Sequence, residues 1–228
     1  MKIVIQVFLT LLSSFSFGQL AIILDKDGYS NVRTNAESGG KISDTLHNGH
    51  FVFVSDETKG NWRIIYYSKN NQELRGYVYH DRLKFISNYE RIPALTKQIN
   101  SSTYGKDSIK IILTVEKFDK SRYRVSYSKD HNEILFVNGK QYWGTDGEQP
   151  KIEYQSILIT IANRKITLPW AAIENLFEPT IHNTQVNYDR ENDILYIQSV
   201  NSDGAGGYEV IWRIEGGVYK DRYIFNSF

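Results

Sequence analysis

The chain has 228 residues, of which 27 are basic and 26 acidic, for a formal net charge of +1, and 14% are aromatic. So even a balance argues against nucleic acid or an anionic membrane surface as the main partner. Cysteine is absent, which excludes disulfides, thiolate metal sites, cysteine nucleophiles and a lipid anchor on a cleavage-site cysteine.

The first eighteen residues, MKIVIQVFLTLLSSFSFG, place Lys2 ahead of a largely apolar run from Ile3 to Leu12 and end in small residues. That layout predicts a secretory signal cut after Ser16-Phe17-Gly18. The apolar run is about half of the roughly 20 residues that a membrane span needs. The expected protein is exported, periplasmic or extracellular, and has no transmembrane segment after signal removal. Loss of Lys2 leaves 26 basic and 26 acidic residues.

From Leu20 to Phe85, short extended runs alternate with turn residues. The runs are LAIIL (20–24), SNVRT (30–34), a segment around Ile42 to Leu46, HFVFVSD (50–56), NWRIIYY (61–67) and RGYVY (75–79). Asp27-Gly28, Gly39-Gly40, Asn48-Gly49 and Lys59-Gly60-Asn61 punctuate them. Turn signals this closely spaced predict short strands in a small β-barrel or sandwich, which residues 19–87 would form. Residues 88–107 are polar and include Pro93. They read as an interdomain linker with room for a helical turn near Ala94 to Gln98.

Residues 108–228 return to strand patterns with longer elements: SIKIILTVEKF, SRYRVSYS, EILFVNG, KIEYQSILITI, TQVNYD, DILYIQSV, YEVIWRIE and VYKDRYIF. In YEVIWRIE, Tyr208, Val210, Trp212 and Ile214 share one face, opposite Glu209, Ile211, Arg213 and Glu215. Asn138-Gly139 and Gly216-Gly217 signal two-residue hairpin turns. PWAAIENLFE reads as the one short helix, with Pro169 at its first position and Pro179 as its stop. The expected fold is mainly β: a small barrel, then an antiparallel sheet domain with one short helix.

The first region resembles the bacterial SH3-like domain, the module called SH3b. The resemblance rests on Gly28-Tyr29-Ser30-Asn31-Val32-Arg33, Lys41-Ile42, Leu46-His47-Asn48-Gly49, Asn61-Trp62-Arg63-Ile64 and Arg75-Gly76-Tyr77-Val78, in that order. Asn35-Ala36 stands where the family usually has Gly-Pro, and Tyr77 where it often has Trp. Such domains commonly attach exported proteins to cell-wall peptides or to other proteins, so the resemblance implies binding to a peptide, a peptidoglycan fragment or a protein partner. The second region resembles no family of known activity.

The ligand candidates are Tyr29, Asn31, Arg33, Trp62, Tyr77 and Tyr79. A guanidinium at Arg33 could receive a carboxylate or peptide carbonyls. Its structural alternative is a pairing with Asp25 or Asp27, with Asn31 bonding turn backbone. Tyr29, Trp62, Tyr77 and Tyr79 could form an aromatic shelf, although a barrel this small favours Trp62 as core. No H-E-x-x-H frame or G-x-S-x-G elbow is present, so no catalytic residue, metal site or cofactor is assigned. The Asn201–Gly207 stretch reads first as a long hairpin loop, with anion or cation binding as the alternative. The leading expectation is an exported, non-enzymatic binding protein. A cell-wall hydrolase targeted by its barrel and an inhibitor or immunity protein are the alternatives.

Overall fold

The computed structural model describes residues 20–70, 72–130 and 133–226. The expected signal at residues 1–18 therefore lies outside the described residues. The first region forms β1 (Leu20–Ile23), β2 (Tyr29–Arg33), β3 (Ile42–His47), β4 (Phe51–Lys59), β5 (Trp62–Lys69), β6 (Gln72–Tyr79) and β7 (Leu83–Phe85). They make one antiparallel sheet in the order β3-β2-β6-β5-β4-β1-β7, curled into a half-barrel. Its inward positions follow the period of two that a strand imposes: Ala21, Ile23, Val32, Ile65, Tyr67 and Val78 are all buried in one cluster.

The segment read as a linker is instead built into both five-stranded sheets of the second region, as β8 (Glu90–Ile92), β9 (Ala94–Gln98) and β10 (Ser101–Lys106). The proposed helical turn at Ala94 to Gln98 is a strand exposed along its whole length. An edge strand is held by backbone pairing on one side, so it needs no alternation of apolar residues to announce it. Tyr104 and Ser102 on β10 are buried, and Ile92 on β8 enters the larger core.

There follow β11 (Ile109–Lys117), β12 (Val125–Tyr127), β13 (Ile134–Val137), β14 (Ile152–Ile161), β15 (Arg164–Thr167), α1 (Trp170–Ile173), β16 (Thr184–Asp189), β17 (Ile194–Asn201), β18 (Tyr208–Glu215) and β19 (Val218–Asn226). One sheet has the order β15-β14-β11-β10-β9 and another β19-β18-β17-β16-β8, while β12 and β13 pair separately. Both expected hairpin turns form with two left-handed residues: Asn138 and Gly139 at φ 53° and 72°, Gly216 and Gly217 at φ 57° and 79°.

The helix stops after four residues, and Pro169 caps it rather than occupying its first turn. Leu176 enters the main core while the adjacent Phe177 packs in a separate cluster with Ile134 and Val137. Neighbouring residues can enter opposite cores from an extended chain, whereas in a helix they lie about 100° apart.

The central strands β18, β17 and β16 of the β19-β18-β17-β16-β8 sheet are buried on both faces. Tyr208, Val210, Trp212 and Ile214 pack toward the β11–β14 sheet. The Trp212 indole is fully buried, meets Tyr154 edge-on at 5.6 Å and donates from Nε1 to the Ala172 carbonyl at 2.7 Å. The other face receives the half-barrel: Leu20, Ile22, Phe51 and Ile86 cluster with Tyr196, Ile211 and Phe225. β1 therefore serves two cores, with Ala21 and Ile23 turned into the barrel and Leu20 and Ile22 turned toward the second region.

Candidate functional site

A groove of about 360 Å³ opens on the outer surface of the half-barrel. It is lined by Tyr29, Asn31 and Arg33 from β2, Trp62 from β5 and Tyr79 from β6, together with Asp25, Asp27, Ser38, Asp81 and Arg82. The local order follows from strand alternation. Ser30 and Val32 point into the barrel and are buried, which leaves Tyr29, Asn31 and Arg33 on the outer face.

β5 and β6 pair Trp62 with Tyr79. The two rings stand edge-to-face with centroids 5.4 Å apart at 87°, a favourable quadrupole arrangement. The Tyr79 hydroxyl accepts from Asn61 Nδ2 at 2.8 Å, which fixes the ring's polar tip. Trp62 is half-buried and lies outside the barrel core, contrary to the volume argument from sequence. The same strand gives Ile65 and Tyr67 to the barrel core instead. Tyr77 is not part of the groove wall: Lys59 Nζ lies 5.4 Å from the centre of its ring.

Arg33 does not pair with Asp25 or Asp27. Its Nη1 donates to the Gly40 carbonyl, closing the loop that leaves β2. Thr34 N and Lys41 O, 3.0 Å apart, close the same loop one step further out. Bracing the loop and lining the groove are thus one arrangement, because a guanidinium carries five N–H donors. Asn31 bonds no turn backbone among the described residues; its Oδ1 accepts from Thr45 Oγ1 at 3.1 Å.

Asp25 is buried and ion-paired with Arg82, whose Nε lies 2.9 Å from Asp81 Oδ1. The backbone N–H of Asp27, and then Arg82, hold the Asp25 carboxyl below its ordinary range. Asp27 and Arg33 make no ion pair among the described residues. The groove therefore offers an aromatic ledge, a carboxylate and a guanidinium, the last two outside any ion pair among the described residues, with Arg82 in electrostatic reach of Asp27.

The Asn201–Gly207 loop and the Ser102–His182 pair are both tied into the second region by hydrogen bonds. The Asn201 side chain is fully buried, and its Oδ1 accepts from the Tyr154 hydroxyl at 3.2 Å and from Thr180 N at 2.9 Å. Ser202 Oγ donates to the Gly144 carbonyl at 2.7 Å, and a Cβ at Gly206 would sit 2.9 Å from that same oxygen. The glycines of this loop permit close docking on residue 144. Ser102 Oγ lies 3.0 Å from His182 Nδ1, but Ser102 is fully buried and cannot present its hydroxyl to a substrate.

A second, larger cleft of about 970 Å³ runs between the half-barrel and β19. Phe53 and Tyr66 line it from the barrel, Trp143 from the second region, and the consecutive residues 222–226 from β19. No residue here stood among the sequence candidates, since the cleft depends on how the two regions pack. Compared with protein-family models, curated proteins and solved structures, the chain has no match.

Proposed function

We propose that the protein is an exported, non-enzymatic binding protein whose SH3-like region engages an extended, peptide-like ligand: a peptide, a peptidoglycan fragment or a segment of a protein partner in the cell envelope. The observation that carries this reading is the convergence of Tyr29, Asn31, Arg33, Trp62 and Tyr79 on one open groove. Trp62 and Tyr79 offer rigid contact area at low entropic cost. Arg33 suits a carboxylate or successive peptide carbonyls, and Asp27 suits an ammonium or peptide N–H.

The test incubates the purified protein with isolated peptidoglycan sacculi and, separately, cross-links it in an envelope extract. Retention or a cross-linked partner is expected, weakened by both Trp62→Ala and Arg33→Gln. Absence of both retention and partner overturns the reading. Muropeptide release by the full-length protein would replace it with a hydrolytic one.

A further inference from the structure

β19 is an edge strand. It pairs with β18 on one side, through Trp212 with Arg222, Val210 with Ile224 and Tyr208 with Asn226. Residues 218–226 make no other backbone-to-backbone hydrogen bond among the described residues. The large cleft lies against its far end, and five consecutive residues, 222–226, line it. Side chains of a strand alternate between faces, so a cavity lying on one face touches every second residue. Contact with an unbroken run means that the cleft abuts the strand's outer edge, where N–H and C=O groups with no backbone partner among the described residues point.

The walls fit an extended chain. Phe53, whose ring centre lies 5.4 Å from that of Phe225, and Tyr66 line the cleft from the barrel, and Trp143 lines it from the second region. Arg222 supplies the positive charge of the cleft, whose lining also includes the acidic Glu73 on the barrel side. Burial lowers its pKa, against the pull of Tyr219 and Glu174. Its Nη1 donates to the Glu174 carbonyl at 3.0 Å, and no carboxylate pairs with it among the described residues. A partly desolvated guanidinium held by one peptide carbonyl retains donors for an anion.

We propose that this cleft binds an extended acidic peptide by strand addition to Arg222–Asn226, with a carboxylate side chain of the peptide received by Arg222. Main-chain pairing supplies affinity in such complexes and alternate side-chain positions supply specificity. A site of about 970 Å³ is within the range of specific ligand pockets. It is separate from the barrel groove and does not depend on that groove's ligand.

The probe is the capped pentapeptide Ac-Thr-Val-Asp-Val-Thr-NH2, titrated into the isotope-labelled protein and followed by backbone amide NMR. Perturbations at residues 222–226 are expected, with slowed hydrogen exchange of the newly paired amides. The Asn counterpart of the peptide should bind roughly tenfold more weakly, and a version with proline for both valines should not bind. Arg222→Gln should remove the preference for Asp over Asn, while Trp62→Ala should leave it intact. The proposal is overturned if residues 222–226 do not respond, or if the three peptides perturb them equally. It is also overturned if the Asp preference survives in Arg222→Gln. Should that variant fail to fold, the three-peptide comparison on the unaltered protein decides alone.

Discussion

Arg213 Nη1 donates to the Gly49 carbonyl at 2.8 Å, joining the turn before β4 to the middle of β18. The same guanidinium is ion-paired with Asp221 and lies 5.1 Å from the centre of the Phe51 ring. Hydrogen bonds to charged groups contribute about 1.5–3 kcal/mol. Arg213→Ala should therefore destabilise the protein by about 2 kcal/mol, read by urea unfolding. Arg213→Lys should recover only part of this, because an ammonium cannot reproduce the fork. An unchanged midpoint in Arg213→Ala would refute the assignment.

Glu209 is a buried carboxyl on the barrel-facing side of the central sheet. Burial, opposed by the Gln198 hydrogen bond, pushes its pKa up to about 7 from an ordinary 4.5. The folded protein thus holds a proton that the unfolded chain has released. Stability from this group is complete below pH 4.5 and is lost as pH rises toward 7, by about 3 kcal/mol. His50, whose pKa burial lowers, acts in the opposite sense within part of this window. The difference between the wild type and Glu209→Gln isolates the carboxyl. Melting temperatures should show the variant gaining on the wild type between pH 4.5 and 7, and a constant gap would sink the prediction.

A Cβ at Gly76 would lie 2.4 Å from Val32 Cγ1 and 3.0 Å from the Arg33 carbonyl. Gly76 thereby allows β6 to approach β2 closely where Arg33 pairs with Tyr77. Gly76→Ala should cost about 2 kcal/mol through overpacking. Gly39→Ala, where an added Cβ meets nothing within 4 Å, should stay within about 0.5 kcal/mol of wild type. Equal melting temperatures for the two variants would contradict the packing.

Two tryptophans should respond differently to the same truncation. Trp212→Ala removes a fully buried indole and its hydrogen bond, at a cost of about 3–5 kcal/mol. Trp62→Ala removes a half-buried ring whose close aromatic partner is Tyr79, at a cost of about 1 kcal/mol. Comparable losses in chemical denaturation would return Trp62 to the core.

Most strands were legible because their side chains alternate: TQVNYD and YEVIWRIE coincide with β16 and β18. What escaped had a physical cause in each case. β9 is exposed throughout and β8 is three residues long, so neither carries an apolar pattern. PWAAIENLFE has helix-forming residues at its start, but Leu176 and Phe177 are claimed by separate cores. Five of the six groove candidates do line one groove, because β2, β5 and β6 present the same outer face. Tyr77 is not among the residues lining the groove and lies beside Lys59, a neighbour that no local pattern encodes. Arg222 was invisible for a different reason: its setting is made by residues from both ends of the chain.

The central sheet also constrains how this gene can be cut and reused. Since Leu20, Ile22 and Phe51 are covered by Tyr196, Ile211 and Phe225, a break near Asn88 would produce two fragments with matching greasy scars. Neither fragment would travel well alone as a fusion partner or an expression product. Selection acting on this protein must keep its halves in step, with a change on one side of the seam answered on the other.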